Sequence, residues 1–115
     1  MGKAPAFQFY AADFLTDTSE WSIQEIGIYI RLLSSQWINE TLPKDLKRLA
    51  RIAQCEYSEI NESWPVLKKK FKTDNNGRIY NQRLEDERKK QKDFREAKSK
   101  AGKKGAEVRY GKSYN

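Results

Sequence analysis

The sequence predicts a mainly α fold with a small β-hairpin, a winged helix-turn-helix followed by a long charged C-terminal helix and a flexible basic tail. Three observations carry that prediction. From Asp45 to about Ala53, the apolar residues Leu46, Leu49, Ile52 and Ala53 recur at helical spacing. After a turn, Gln54-Cys55-Glu56-Tyr57, a second helix capped by Ser58 places Ile60, Trp64, Leu67 and Phe71 at steps of four, three and four, a single apolar stripe. Phe71-Lys72-Thr73 and Arg78-Ile79-Tyr80 then flank Asp74-Asn75-Asn76-Gly77. Asn followed by Gly is a strong hairpin-loop signal, because both residues tolerate positive φ. The expected organisation is a winged-helix domain over 1–81 with its wing at about 71–81, a charged helix over 82–101, and a disordered basic tail over 102–115.

Composition narrows the function classes. A chain of 115 residues suits one domain with a modest core, and 37% hydrophobic against 34% charged content implies that part of it lies outside that core. A single Cys permits no internal disulfide and fits a reducing compartment, so a cytoplasmic protein is expected. His is absent, which removes the commonest general base and the commonest metal ligand together. Cys55, alone in a turn, reads as a small packing residue rather than a nucleophile. Asp13 and Asp17 stand four apart, as paired acids or metal ligands can, but their place near the end of a helical turn suits caps better. Neither an enzyme nor a cofactor nor a metal is expected. No segment approaches the roughly 18 apolar residues of a membrane span, and no signal peptide precedes the first motif.

Charge is unevenly spread. Residues 1–81 hold 11 Lys and Arg against 10 Asp and Glu, whereas residues 82–115 hold 12 against 6. The basic character therefore sits in the C-terminal third. Such a tail on a small module points to nucleic acid or another polyanion, the alternative being an inert, solvated tail.

In chain order, the first 21 residues carry Phe7, Phe9, Tyr10, Phe14, Leu15 and Trp21, too many aromatics for a disordered arm. Phe7-Gln8-Phe9 reads as a short extended piece and Ala11 to Leu15 as a helical turn. These rings either stack on bases or lid a small core. Ser22 with Glu25 is a capping box that opens a helix to Trp37, its stripe formed by Ile23, Ile26, Ile30, Leu33 and Trp37 with Tyr29 beside them. Gly27 within it costs about 1 kcal/mol relative to Ala, which suggests a close approach by another element. Asn39 to Pro43 is a break, and Leu42 reads as a short strand that pairs with the wing.

Candidate DNA contacts follow from these elements. Lys44, Lys47, Arg48 and Arg51 lie on the polar side of the first helix of the unit, the helix that crosses the DNA backbone in such folds. In the second helix, Glu59 and Glu62 occupy the first turn, where carboxylates repel phosphates, and Ser58, Asn61 and Ser63 remain as donors to bases. Pro65 removes a hydrogen bond and either kinks this helix or starts another. Lys68, Lys69, Lys70, Lys72 and Arg78 are better placed for phosphates, with Asn75 and Asn76 at the wing tip near a minor groove. The bland alternative is a solvated lysine cluster that complements a helix dipole.

Asn81 caps a last helix, Gln82 to about Ala101, in which Glu85 with Lys89, Asp86 with Lys90 and Glu96 with Lys100 form acid-first pairs. Leu84 packs on the domain, and Phe94, Ala97 and Ala101 lie further along without a heptad series. Gly102 stops the helix, and Lys103, Lys104 and Arg109 belong to a Gly-rich arm that, with Lys100, adds phosphate contacts. Ala101-Gly102-Lys103-Lys104-Gly105 lacks the spacing and the strand of a phosphate-binding P-loop.

Several short motifs in order, PAFQFYAADFLTDT, GIYIRLLSSQW, LPKDLKRLARI, the Trp64-Pro65 pair, GRIYNQRLEDER and KAGKKGA, resemble the YdaU-type prophage proteins from Pro5 to about Ala106. That family, of unknown function, is similar to the N-terminal domains of phage replication initiators. The resemblance implies a winged-helix fold and a place in phage or prophage DNA replication, at origin or helicase-loader level, with no catalytic residue to carry over. Ala11 stands where the family has Pro, and Ile26 and Ile28 flank Gly27 in place of a more polar and a smaller residue; these departures are expected to affect packing alone. Two other functions stand beside DNA binding: a protein-interaction or dimerisation module that docks through 82–101, as a homodimer or on a replication protein, and a transcriptional regulator.

Overall fold

The computed structural model describes residues 6–107, with side chains to Lys100. Five α-helices and a two-stranded antiparallel sheet follow one another: α1 Ala11–Asp17, α2 Ile23–Asn39, α3 Leu46–Ala53, α4 Tyr57–Leu67 with a 3₁₀ turn Lys68–Lys70, β1 Lys72–Thr73, β2 Ile79–Tyr80, and α5 Gln82–Glu107. Phe7-Gln8-Phe9 pairs with no strand.

α2 begins as its sequence dictates. Ser22 accepts from the Glu25 N–H, and Glu25 accepts from the Ser22 N–H at 2.7 Å. Its buried face, however, is rotated from the expected stripe. Ile28, Tyr29, Leu32, Leu33, Gln36 and Trp37 point inward, whereas Ile23 is 84% exposed and Ile26 and Ile30 are half-buried. Gly27 is exposed, and a Cβ there would meet nothing within 4 Å, so no close approach explains it.

Asp45 caps α3 by accepting from Lys47, and the helix buries Leu49, Ala50 and Ala53. Its end is an unusual case of a common device. Gln54 sits at φ 59 and ψ 47, with Gln54 N–H bonded to Arg51 O and Cys55 N–H to Ala50 O, the pattern of a Schellman cap built without Gly. α4 starts earlier than Ser58. Glu56 is its cap, in a reciprocal box with Glu59. Pro65 is accommodated inside α4, which runs on into the 3₁₀ turn. Ile60 and Leu67 are fully buried, with Trp64 and Phe71 packed at the core margin.

The hairpin pairs Lys72 with Tyr80 and Thr73 with Ile79. Gly77 takes φ 74, and no positive φ occurs at Asn76; Asp74 organises the loop by accepting from both Asn76 N–H and Arg78 N–H. Leu42 does extend the sheet, exchanging backbone hydrogen bonds with Ile79 at 2.8 and 2.9 Å. Three chain segments thus meet at Ile79 over a core of Leu32, Leu42, Leu49, Ile60 and Leu67.

Asn81 caps α5 through Leu84 N–H, and Leu84 is buried. The body holds α5 as far as Gln91, whose side chain donates to Ala6 O; residues 92–100 are exposed. Glu85 turns to Arg88, and Lys89 to Asp93, rather than forming the Glu85–Lys89 pair. Gly102 does not stop the helix. The backbone stays helical through Gly102 and Gly105 to Glu107, so the tail expected to be disordered from 102 is helical as far as 107, and the remainder of that expectation lies outside the described residues. At 26 residues, α5 is about 39 Å long at 1.5 Å per residue.

Candidate nucleic-acid interface

The basic residues sort into three groups by position. Lys47, Arg48 and Arg51 are exposed along α3, with Lys44 exposed just ahead of its cap. Lys68, Lys69, Lys70 and Lys72 cluster where α4 tightens into 3₁₀ geometry and turns into β1, and none of them pairs with a carboxylate among the described residues. Lys68, Lys69 and Lys72 are exposed, while Lys70 is half-buried with its ammonium 5.9 Å from the Trp21 ring centre. Lys100 is exposed on the projecting part of α5. Lys103 and Lys104 lie on its helical backbone, and Arg109 falls outside the described residues.

The wing is only partly available. Asn75 and Asn76 are exposed at its tip. Arg78 is half-buried and donates from Nε to Thr41 Oγ1 at 2.7 Å, so part of its fork serves the junction with Leu42. In α4, Ser63 is not a donor to bases: it is buried and accepts from Gln24 Nε2 at 2.9 Å, while Gln24 also reaches Glu59 O. Glu56, Glu59 and Glu62 together make the start of α4 more acidic than the sequence suggested, since Glu56 is now its cap. Exposed positive charge thus gathers at the far end of α4, and carboxylates at its start.

Two cavities flank this region. One, of about 260 Å³, is lined by Asp17, Tyr29, Lys69, Lys70, Lys72, Asn81, Gln82 and Arg83. Sequence reasoning missed it, because Tyr29, Asp17 and Arg83 come from three separate segments. Arg83 bridges Asp13 and Asp17, the two acids that stand four apart, which explains them as partners of an arginine. Burial pushes the Tyr29 hydroxyl above its usual value, with only partial relief from the hydrogen bond that Asn81 donates to it.

The second cavity, of about 240 Å³, lies beneath the N-terminal aromatics and α5. Phe7 packs on Trp37 with centroids 5.3 Å apart, and Phe14 and Trp21 pack on Tyr29, so these rings lid the core. Phe9 and Tyr10 are exposed, but Asp13, Asp17, Asp86 and Glu87 outweigh Arg83 and Lys90 around the same cavity, and this net negative rim disfavours a phosphate backbone. Cys55 is half-buried, and burial followed by the Glu59 and Glu56 carboxylates raises its thiol pKa, which suits packing over nucleophilic chemistry. Among the described residues no group of His, Cys, Asp and Glu is arranged to hold a metal, and no helix is long and apolar enough to cross a membrane.

Residues 5–88 match the family model described as "Protein of unknown function (DUF1376)", which spans every element from the aromatic segment to the first turns of α5. The chain belongs to the DUF1376 family. The "Uncharacterized protein YdaU" of Escherichia coli strain K12 is 32% identical over 113 residues, covering 95% of this chain and 38% of that protein. The DUF1376 chain therefore spans well under half the length of that relative. No solved structure matches it significantly. The family match ends at Arg88, close to where α5 leaves the body, so the matched stretch and the packed unit nearly coincide.

Proposed function

We propose that this protein is a winged-helix DNA-binding protein of prophage origin that acts in phage DNA replication, at initiation or helicase loading. The observation that carries the reading is the run Lys68, Lys69, Lys70 and Lys72, free of carboxylate partners among the described residues and adjoining the hairpin. The three-residue turn between α3 and α4, the hairpin, and the Leu42 segment that joins it support the winged helix-turn-helix reading. The acidic start of α4 favours backbone contact over base reading, and hence low sequence specificity. The replication role is what the motifs resembling YdaU-type prophage proteins imply, through the likeness of that family to replication-initiator N-terminal domains.

The test is a salt-dependent titration of random duplex and single-stranded oligonucleotides against the full chain, a 1–97 truncation and the combined Lys68→Gln, Lys69→Gln, Lys70→Gln and Lys72→Gln variant. On duplex DNA, log K falls with log salt at a slope of about 0.9 per phosphate neutralised, so the quadruple variant is expected to lose up to ~3.6 of that slope. The truncation should lose slope as well if Lys100 and the residues beyond it contribute. No binding by the full chain at low salt would remove the DNA reading.

A second reading has its own support. Residues 92–100 of α5 are exposed, and Phe94 among them is 68% exposed, as a docking helix for a protein partner or a second copy would be. Light scattering after size exclusion separates the two. A dimer that survives high salt and is lost on truncation after Asn81 favours an interaction module.

A further inference from the structure

We infer that the cavity between the 3₁₀ turn, β1 and the start of α5 is a binding site for a single phosphoryl group. It deepens the nucleic-acid reading, and rests on that reading only for the natural source of the phosphate.

Three independent features converge there. The first is charge. Lys69, Lys70 and Lys72 line the cavity, and Asp17, the carboxylate on its wall, is already held by Arg83 Nη1 at 2.9 Å. The second is the helix terminus. Asn81 O and Oδ1 take the N–H groups of Glu85 and Leu84, but the N–H groups of Gln82 and Arg83 have no acceptor among the described residues. Two unpaired amides at the positive end of a long helix form an anion-binding arrangement. The third is Tyr29, which is 8% exposed. Its oxygen accepts from Asn81 Nδ2 at 3.2 Å, and its own hydrogen has no acceptor among the described residues. A phenol is protonated at neutral pH, so this hydroxyl is available as a donor.

Size fixes the class further. At about 260 Å³ the cavity falls just below the roughly 300–1,000 Å³ of pockets for drug-sized ligands. It suits a phosphoryl group with part of its sugar and is too small for a dinucleotide. A nucleic-acid phosphate, a terminal phosphate and a phosphorylated metabolite share this chemistry. Lys68, the first residue of the run, does not line the cavity, which separates this site from a diffuse lysine surface.

The experiment is a titration of the full chain with inorganic phosphate, read by the backbone amide resonances in NMR. Saturable shifts at Gln82 and Arg83 are expected. Lys69→Gln and Lys72→Gln should each weaken binding about tenfold, as loss of one charge-assisted hydrogen bond does, and Lys68→Gln by less than about twofold. Tyr29→Phe should also weaken it, with its unfolding midpoint recorded to establish that the fold persists. Shifts that do not saturate, or equal losses in all three lysine variants, would overturn the site. Competition then identifies the source. A 5′-phosphorylated oligonucleotide that displaces phosphate better than its unphosphorylated twin marks a terminal phosphate, equal displacement marks the backbone, and no displacement marks a small phosphorylated molecule. DNA binding without saturable phosphate shifts would sink the pocket alone, whereas saturable shifts without DNA binding would sink the DNA reading alone.

Discussion

Gln36 and Asn81 hold each other by two reciprocal hydrogen bonds: Asn81 N–H donates to Gln36 Oε1 at 2.7 Å, and Gln36 Nε2 donates to Asn81 O at 3.1 Å. Both residues are buried, Gln36 completely. The pair fastens the last turn of α2 to the point where the hairpin ends and α5 begins. Asn81 uses its remaining groups on Tyr29, Lys70 O and the α5 cap. The side-chain groups of Gln36 and Asn81 are thereby engaged, and the wing, α2 and α5 are fixed in one register.

Replacing Gln36 with Leu keeps the volume but strands the Asn81 N–H and weakens its carbonyl's satisfaction. An orphaned buried polar group costs about 1–3 kcal/mol. Gln36→Leu is therefore expected to destabilise the protein by about 2–4 kcal/mol, seen in urea as a lower midpoint at unchanged m-value. A loss below about 0.5 kcal/mol would show that water replaces the side chain, and that the junction is not held by this pair.

Gly27 offers the opposite change. It lies mid-helix on the exposed side of α2, its Cβ direction is open, and it does not use positive φ. Gly27→Ala should stabilise by about 0.5–1 kcal/mol through the lower backbone entropy of the unfolded chain. A calorimetric Tm that rises confirms this. An unchanged stability together with lost DNA or protein binding would instead assign the open position to a partner.

How far the sequence discloses this fold depends on which residues speak. The hairpin was legible because Gly77 and the flanking apolar residues mark it locally, and Leu42 was legible as a strand beside the wing, although its partner Ile79 is chosen by packing. The face of α2 was not. Isoleucine occurs on both sides of it, and Gln36, a polar side chain with no exposed surface, argues against burial until its partner 45 residues away is known. The start of α4 was misjudged because Ser58 is a better cap than Glu56 by preference, yet Glu56 and Glu59 close a reciprocal box. The α5 terminus was misjudged because Gly ends a helix through its left-handed conformation, and a glycine that stays helical costs only about 1 kcal/mol. For the site, the lysine run was visible. The cavity was not, since Tyr29 and Arg83 reach it only through tertiary packing.

Tyr29 makes a pH prediction with a definite sign. Its hydroxyl is raised above the ordinary 10.0, first by burial and then by the nearby Asp17. The unfolded chain therefore ionises this phenol before the folded chain does. Below about pH 10 both states keep the proton and this group adds no pH dependence; as pH climbs from there through the folded value, the folded state retains a proton that the unfolded chain has lost, and stability falls. The slope of unfolding free energy against pH above 10 should be shallower in Tyr29→Phe than in the parent. Parallel curves would mean that other tyrosines and lysines carry the alkaline loss.

Arg88 decides how α5 leaves the body. Its guanidinium donates to Trp37 O at 2.9 Å and Gln36 O at 3.0 Å, pairs with Glu85, and lies 4.5 Å from the Trp37 ring centre. It satisfies carbonyls near the C-terminal end of α2 and complements that helix's dipole, work that a lysine's single ammonium cannot reproduce. Arg88→Ala should cost about 2–4 kcal/mol, combining charge-assisted hydrogen bonds with a partly desolvated cation–π contact. Arg88→Lys should recover less than half of that, and both should change the tryptophan fluorescence of the folded state. Hydrogen exchange in α5 gives the decisive reading. If Arg88 anchors the helix, protection between Leu84 and Gln91 drops in the Ala variant while α3 and α4 keep theirs; uniform loss across all helices would mean that Arg88 contributes only to global stability.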